Sequence, residues 1–488
     1  MSKNKSVIIL LMLIISIPLL FVPLPAQADE MFDTAKVDEY VTNYMVKNGL
    51  PGAAIVVIKD GKTLYEKGFG HDSDGDPLTA KSIIGIASGS KPFTAFAVLQ
   101  LVDKGKIKLD HSIVNYLPEL KLNDKRWEQV TVRHLLSHTS GLPNPTIVAP
   151  ANTLKEGVGR LHDWKLQSNP GEKYLYSNAN YWTLAYLVEE ISGMEFNDYL
   201  TQNVFSPLGM NDSLSVVNSG DITKYLDIPR GYVTLYGTAM PWTELEKMFS
   251  GSGSIFTTAS DMGKWLAMHT NDGKNEKGEQ LLSQELLKES YSPQSEAEKY
   301  GLGWSLSSSN IKPARISHSG SISTFQSQQD IVPSSGYSVA VLLNSFTTTF
   351  EHAYEISSGV IQLTEGKEPE IKSSIPKMID LSLGAITLIY LILGIRGIRR
   401  SKKWTDKRNQ YPAWRFFLRL IPQLIPVVGI GWLLFILPTL KNNSSTTLDA
   451  FGLWPAAMFL LAIIFMIGLV LTILRIYYRI RLIRNGRL

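Results

Sequence analysis

The stretch Ile-Ala-Ser-Gly-Ser-Lys-Pro-Phe-Thr-Ala, residues 86–95, sets Ser88 and Lys91 three apart at the start of an apolar run with helical period. Residues three apart share one face of a helix, and the first N–H groups of a helix lack acceptors within it. A hydroxyl and an amine so placed make a nucleophile with a base one turn away, beside the positive end of the helix dipole. The pattern is weak alone, because Ser-x-x-Lys recurs at Ser2, Ser309 and Ser374. Two further patterns, each found once, follow in order: Tyr176-Ser-Asn178 and His318-Ser-Gly320.

Outward from that stretch, residues Met31 to Lys47 predict a helix and Pro51 to Ile58 a buried strand, which Asp60-Gly61 turns into a hairpin with Thr63 to Phe69. The Lys91 helix should run to about Lys104, with Gly105 as its stop. Val130 to Pro143 reads as a short helix entering a Gly-Leu-Pro turn. His134 and His138 stand at i and i+4 within it, but no third ligand has suitable spacing, so they read as capping or core histidines and no metal is expected. A helix is expected from about Trp182 to Ile191, with Tyr176 and Asn178 in the turn before it. Ser260 or Asp261 should cap another helix through Met268, with Trp265 in the core.

Ile316 to Ser321 leads into strands at Phe325–Val332 and Tyr337–Leu343, and a last helix covers about Phe350 to Leu363. Two strands and a helix at one end, with three strands and a helix at the other, predict an α/β (α+β) fold: one antiparallel sheet flanked by helices, plus a mostly helical subdomain.

The charge is unevenly spread over the 488 residues. From Gly366 to the end there are 18 Lys and Arg against 5 Asp and Glu, so the net +4 of the whole leaves −9 for residues 1–365. A domain this acidic is a poor ligand for nucleic acid. Cysteine is absent, which excludes disulfides, thiolate metal sites and cysteine catalysis. Residues 1–28 join Lys3 and Lys5 to an apolar run, Val7 to Val22, and end in Pro25-Ala26-Gln27-Ala28, the form of a signal peptide or, uncleaved, of an anchor. An exported domain is expected at 29–365, a polar linker at 366–377, and a membrane domain at 378–488.

That membrane domain is expected to hold three transmembrane helices, at Met378–Ile395, Leu420–Leu440 and Phe451–Leu474. Nine basic residues stand against Asp406 alone between Arg396 and Arg419, and five arginines follow Leu474, so the positive-inside rule places both stretches in the cytoplasm. The catalytic region is then extracytoplasmic, on a multi-pass membrane protein. With almost no charge inside the spans, an anchor in the lipid bilayer is favoured over a transport path.

The three ordered patterns, together with Arg133 to Pro143 and the Gly-Ser-rich segment at 251–262, resemble the serine β-lactamase and penicillin-binding-protein superfamily, with the class C-like branch as the closest likeness. The likeness covers about residues 30–363. It implies an acyl-enzyme on Ser88, with Lys91 and Tyr176 handling protons and no cofactor or metal. Asn178 would orient Lys91 and bind a substrate amide. The N–H groups of Ser88 and Ser321 would form the oxyanion hole, with His318 and Gly320 lining the substrate strand. Many members carry lysine at the third pattern; a histidine there, charged only in part near neutral pH, weakens recognition of a substrate carboxylate. The implied substrate is a cell-wall peptide, a D-amino-acid amide or ester, or a β-lactam-like compound. The alternative is a non-hydrolytic acyl-binding sensor that signals through the membrane helices.

Overall fold

The structure is a computed structural model that describes residues 32–485 apart from 145–148, 226–227, 295–299, 309, 349, 372–373 and 437–446. The leader expected at 1–28 lies outside the described residues.

Strand β1 (Gly52–Lys59) is buried on both faces, which is why its sequence is apolar throughout rather than alternating. Asp60 and Gly61, at φ 48° and 77°, take the two left-handed positions of a tight hairpin turn into β2 (Lys62–Gly70). Far along the chain come β3 (Ser305–Leu306), β4 (Ile316–Ser321), β5 (Gln326–Val332) and β6 (Tyr337–Leu343). They complete one antiparallel sheet in the order β2-β1-β6-β5-β4-β3, with Val57 opposite Val339 at the junction of the two ends.

The helices are α1 (Thr34–Asn48), α2 (Lys91–Asp103), α3 (Asn178–Ser192), α4 (Ala259–Thr270) and α5 (His352–Thr364). Successive strand side chains point to opposite faces. Ala53, Ile55 and Val57 therefore join Val339 and Val341 in a core under α1 and α5. Ala54, Val56 and Ile58 join a larger core with α2, α3 and α4. Helix α2 is buried from Lys91 to Leu101, and Phe93 stacks on the fully buried Trp265 at 3.8 Å.

Two expected helix starts are corrected. Helix α3 begins at Asn178, not near Trp182, because Asn180 is no turn residue: it is buried, with His138 and Ser140 as partners. Helix α4 is capped by Thr258, whose hydroxyl accepts from the Asp261 N–H at 3.1 Å; Asp261 lies in the first turn and pairs with Lys264.

The tail comprises α6 (Ile375–Arg399), α7 (Ile421–Gly431, continued to Ile436 by a wider turn), α8 (Thr447–Leu453) and α9 (Pro455–Arg484). Among the described residues, two helices rather than three are long and apolar enough to cross a bilayer, α6 and α9; the middle segment, Ile421–Ile436, is shorter, and 437–440 of the expected span lie outside the described residues. Leu388, Leu393 and Ile473 leave apolar faces of α6 and α9 uncovered, unlike the core helices. The two helices touch where Gly394 admits Ile467, a close approach that a small residue permits.

Trp265→Ala removes the ring that Phe93 stacks on. It should lower the unfolding free energy of the full-length chain in detergent by about 3–5 kcal/mol. Denaturant unfolding measures this, and a loss below about 1 kcal/mol would show that the cavity collapses.

Candidate active site

Ser88 does not sit on the α-helix but in a 3-10 turn, Ala87–Ser90, that feeds into α2. Ala87, immediately before it, has φ 48°, a left-handed conformation uncommon for a residue with a Cβ. Several buried bonds hold this turn. Ser327 donates to the Ile86 carbonyl at 2.6 Å, Gln329 donates to the Gly89 carbonyl at 2.9 Å, and the Ile255 N–H donates to Ser90 Oγ at 3.0 Å. Gln329 in turn accepts from Trp265 Nε1 at 3.0 Å, so the core tryptophan and the nucleophile turn share one anchor on β5.

The Lys91 Nζ is fully buried and lies 3.0 Å from Ser88 Oγ, 2.8 Å from Asn178 Oδ1 and 2.8 Å from the Ser252 carbonyl. Burial drives its pKa well below the ordinary 10.5. A neutral amine spends two N–H donors on Asn178 and Ser252, which only accept there, and turns its lone pair to the Ser88 hydroxyl. Tyr176 donates its O–H to Ser88 Oγ at 2.9 Å, and burial raises its phenol above the usual value. Burial thus pushes Lys91 toward its neutral amine and Tyr176 toward its un-ionised phenol, and both lie against Ser88 Oγ.

His318 is buried and neutral. Its Nδ1–H donates to the Ser319 carbonyl at 2.7 Å, and its Nε2 accepts from Tyr300 O–H at 2.9 Å. Burial, and secondarily the nearby Lys91 when charged, lower its pKa to about 3. Both ring nitrogens are occupied, so His318 offers a substrate neither charge nor a free donor. A Cβ on Gly320 would come within 2.1 Å of the Ile86 carbonyl oxygen, so β4 presses against the nucleophile turn where only glycine fits. Strand β3 pairs only with Ile316 and Ser317, which leaves His318 to Ser321 as the free edge of the sheet. Ser88, Asn178 and Ser321 line one cavity of about 190 Å³. Of the seven residues expected from the sequence, these three line the cavity; Lys91 and Tyr176 bond to Ser88, and His318 and Gly320 lie on the edge strand, His318 turned to Tyr300 and Gly320 against the Ser88 turn.

This arrangement matches known proteins. The sequence model of the beta-lactamase family matches residues 37–359. The chain belongs to the beta-lactamase family. Protein flp of Staphylococcus aureus is 27% identical over 320 residues, 63% of this chain and 62% of that one. A penicillin-binding protein of Bacillus subtilis is 29% identical over 293 residues, 54% of this chain and 62% of the relative. This beta-lactamase-family chain therefore spans about 62% of the length of these curated relatives. Among solved structures, a penicillin-binding protein homologue from Pyrococcus abyssi aligns over 73% of this chain and 81% of its own, at 27% identity and a TM-score of 0.60. A penicillin-binding protein from Bacillus halodurans, 24% identical with a TM-score of 0.56 over 66% of this chain and 99% of its own, shares the fold. The resemblance read from the three motifs thus extends to the whole catalytic domain.

The sequence did not reveal several members of the beta-lactamase-family site. The Ser252 carbonyl is a backbone group, and only the Gly-Ser richness of its surroundings hinted at it. Tyr300 has no motif around it. His138, at φ 57°, accepts through Nδ1 from Asn180 and the Ser177 N–H, and its ring packs 4.3 Å from that of Tyr176. His134 does separate work: its Nδ1 closes a capping box with Thr131. The two histidines therefore share no ligand, and among the described residues there is no cluster of three or more metal-ligating side chains.

With burial lowering the Lys91 pKa, a proton transfer from Ser88 to this amine should make covalent labelling of Ser88 by a fluorophosphonate slow in acid. The rate should rise with pH and reach its plateau well below 10.5, the ordinary lysine value. Lys91→Ala should cost about 100- to 10,000-fold in the plateau rate. No step from His318 is expected between about pH 5 and 8, because it is already neutral there.

Proposed function

We propose that this chain is a membrane-anchored serine hydrolase that works through an acyl-enzyme on Ser88. The observation carrying the reading is Ser88 Oγ held between Lys91 Nζ at 3.0 Å and Tyr176 Oη at 2.9 Å, at the edge of a cavity. In acylation the Ser88 proton passes to the Lys91 amine as Oγ bonds to the substrate carbonyl carbon. The oxyanion would lie between the Ser88 and Ser321 N–H groups, the second on the free edge of the sheet. Tyr176 gives its proton to the leaving group, and the Lys91 ammonium restores it. Water then attacks the ester with the same groups acting in reverse.

The substrate classes that fit are cell-wall peptides, D-amino-acid amides or esters, and β-lactam-like compounds. The neutral His318 favours those that do not depend on a carboxylate. The apolar faces left open on α6 and α9 support a bilayer anchor, and the basic residues between Arg396 and Arg419 support a cytoplasmic loop with the catalytic domain outside. An acyl-binding sensor would use the same first step and differ in slow deacylation.

Incubation of the purified full-length protein with a fluorescent penicillin and with short esters, followed by intact mass over time, separates these outcomes. A hydrolase gives a transient adduct and turnover, both lost in Ser88→Ala. A stable adduct without turnover would identify the sensor, and no adduct with no turnover would sink the acyl-enzyme.

A further inference from the structure

The cavity beside Ser88 has a wall that the catalytic domain does not supply. Leu453, the last residue of α8, lines it together with Met248, Phe249, Ile322 and Phe346. The Leu453 carbonyl accepts from Thr348 Oγ1 at 2.5 Å, and Gly452 lies so near Leu245 that a Cβ would stand 2.8 Å from its Cδ2. Trp454 and Pro455 follow at once and open the apolar helix α9. The wall of the cleft and the outer end of that helix are therefore continuous.

A second contact ties the catalytic domain to the tail. The hairpin over residues 231–242 turns at Tyr236-Gly237, and this tip rests on α6. The Gly237 N–H donates to Asp380 at 2.5 Å, Tyr236 Oη lies 3.4 Å from Thr387 Oγ1, and a Cβ on Gly237 would come within 2.9 Å of Leu381. These three partners lie within the apolar helix Ile375–Arg399. The cleft is thus tied, at Leu453 and at the hairpin tip, to the helices that the proposed function puts in the bilayer.

The charge of the cleft is also settled. Lys247 lines it, but its Nζ lies 3.4 Å from Glu244, whose oxygens accept in addition from the Ser323 N–H and from Thr324 Oγ1. Among the described lining residues no other cation is present, and His318 on the edge strand is neutral. Trp182, Met248, Phe249, Ile322, Phe346 and Leu453 give the cavity an apolar wall beside the polar groups around Ser88.

We infer that this site takes an amphiphilic ester or amide whose apolar portion stays at the bilayer surface, with Leu453 and Phe346 holding that portion beside the carbonyl that Ser88 attacks. The inference rests on the serine-hydrolase reading above. Each methylene buried against this wall adds binding that a short acyl group cannot supply. A substrate already in the membrane reaches the cleft without leaving it. With a nitrophenyl ester, the Ser88 Oγ–carbonyl bond forms, the bond to nitrophenolate breaks, and the serine proton passes to Lys91.

The test uses the full-length protein in phospholipid nanodiscs with p-nitrophenyl acetate and p-nitrophenyl octanoate. The parent should prefer octanoate, and Leu453→Asp should lower the octanoate-to-acetate ratio of kcat/KM about tenfold, with Leu453→Met restoring the preference. Because the chain has no cysteine, a Leu245→Cys, Gly452→Cys pair, placed where a Cβ on Gly452 would stand 3.1 Å from Leu245 Cγ, reads the position of the wall without any chemistry at Ser88, and it should cross-link under mild oxidation. No cross-link, a parent that does not favour octanoate, or equal effects of Leu453→Asp on both esters overturns the inference. A penicillin adduct on Ser88 with turnover of acetate but none of octanoate would keep the hydrolase and reject this substrate class. Ester turnover surviving in Ser88→Ala would reject the hydrolase while the cross-link still reported on the wall.

Discussion

A lysine amine with no access to water governs this site. Lys91 is fully buried, and its three polar neighbours, Ser88, Asn178 and the Ser252 carbonyl, come from three separate parts of the chain. Burying an ammonium in such surroundings is costly, and the least costly state is the neutral amine with its lone pair toward the one neighbour that can donate. The lowered pKa of Lys91 is therefore produced by the fold, and any change that lets water reach the amine moves it back toward the ordinary lysine value.

The rest of the domain holds that geometry. The turn carrying Ser88 begins at a left-handed Ala87, a conformation of order 1–3 kcal/mol above the helical one that persists only where neighbours enforce it. Here Ser327 and Gln329 of β5 grip the turn from the sheet, and Ile255 grips it from the other side. Gly320 lets the edge strand approach the same turn without a side chain between. The sheet and the helical part meet at one rigid point, and the nucleophile stands on it.

The tail is more than a length of apolar chain. Its Leu453 forms part of the cleft and its Asp380 receives a hydrogen bond from the hairpin tip, so the tail helices contact the rest of the chain both at the cleft and at the hairpin. The contact at Asp380 also accounts for an acidic residue inside an otherwise apolar helix: its carboxylate meets a backbone N–H of the domain instead of hydrocarbon.

Local physics made much of this readable in the sequence. The apolar run of β1, the Asp60-Gly61 turn, the helical period after Lys91 and the hairpin at 333–336 each depend on residues close in the chain, as do the apolar lengths of α6 and α9. Ser88, Lys91, Tyr176 and Asn178 were recognisable because their spacing within each motif is local, although what joins them is not. Helix α3 was misjudged at its start because Asn180 looks like a turn residue until His138 and Ser140, some forty positions earlier, satisfy its amide. The neutral state of His318, the backbone acceptor at Ser252, the left-handed Ala87 and the wall at Leu453 depend on burial and on partners far away in the chain. The sequence alone determined the family and the order of the elements, since hydrophobic period and motif spacing act over a few residues. Tertiary structure alone decided that the Lys91 amine is desolvated, that the third motif carries no charge, and what the cleft wall is made of, because desolvation and long-range contacts exist only once the chain has closed on itself.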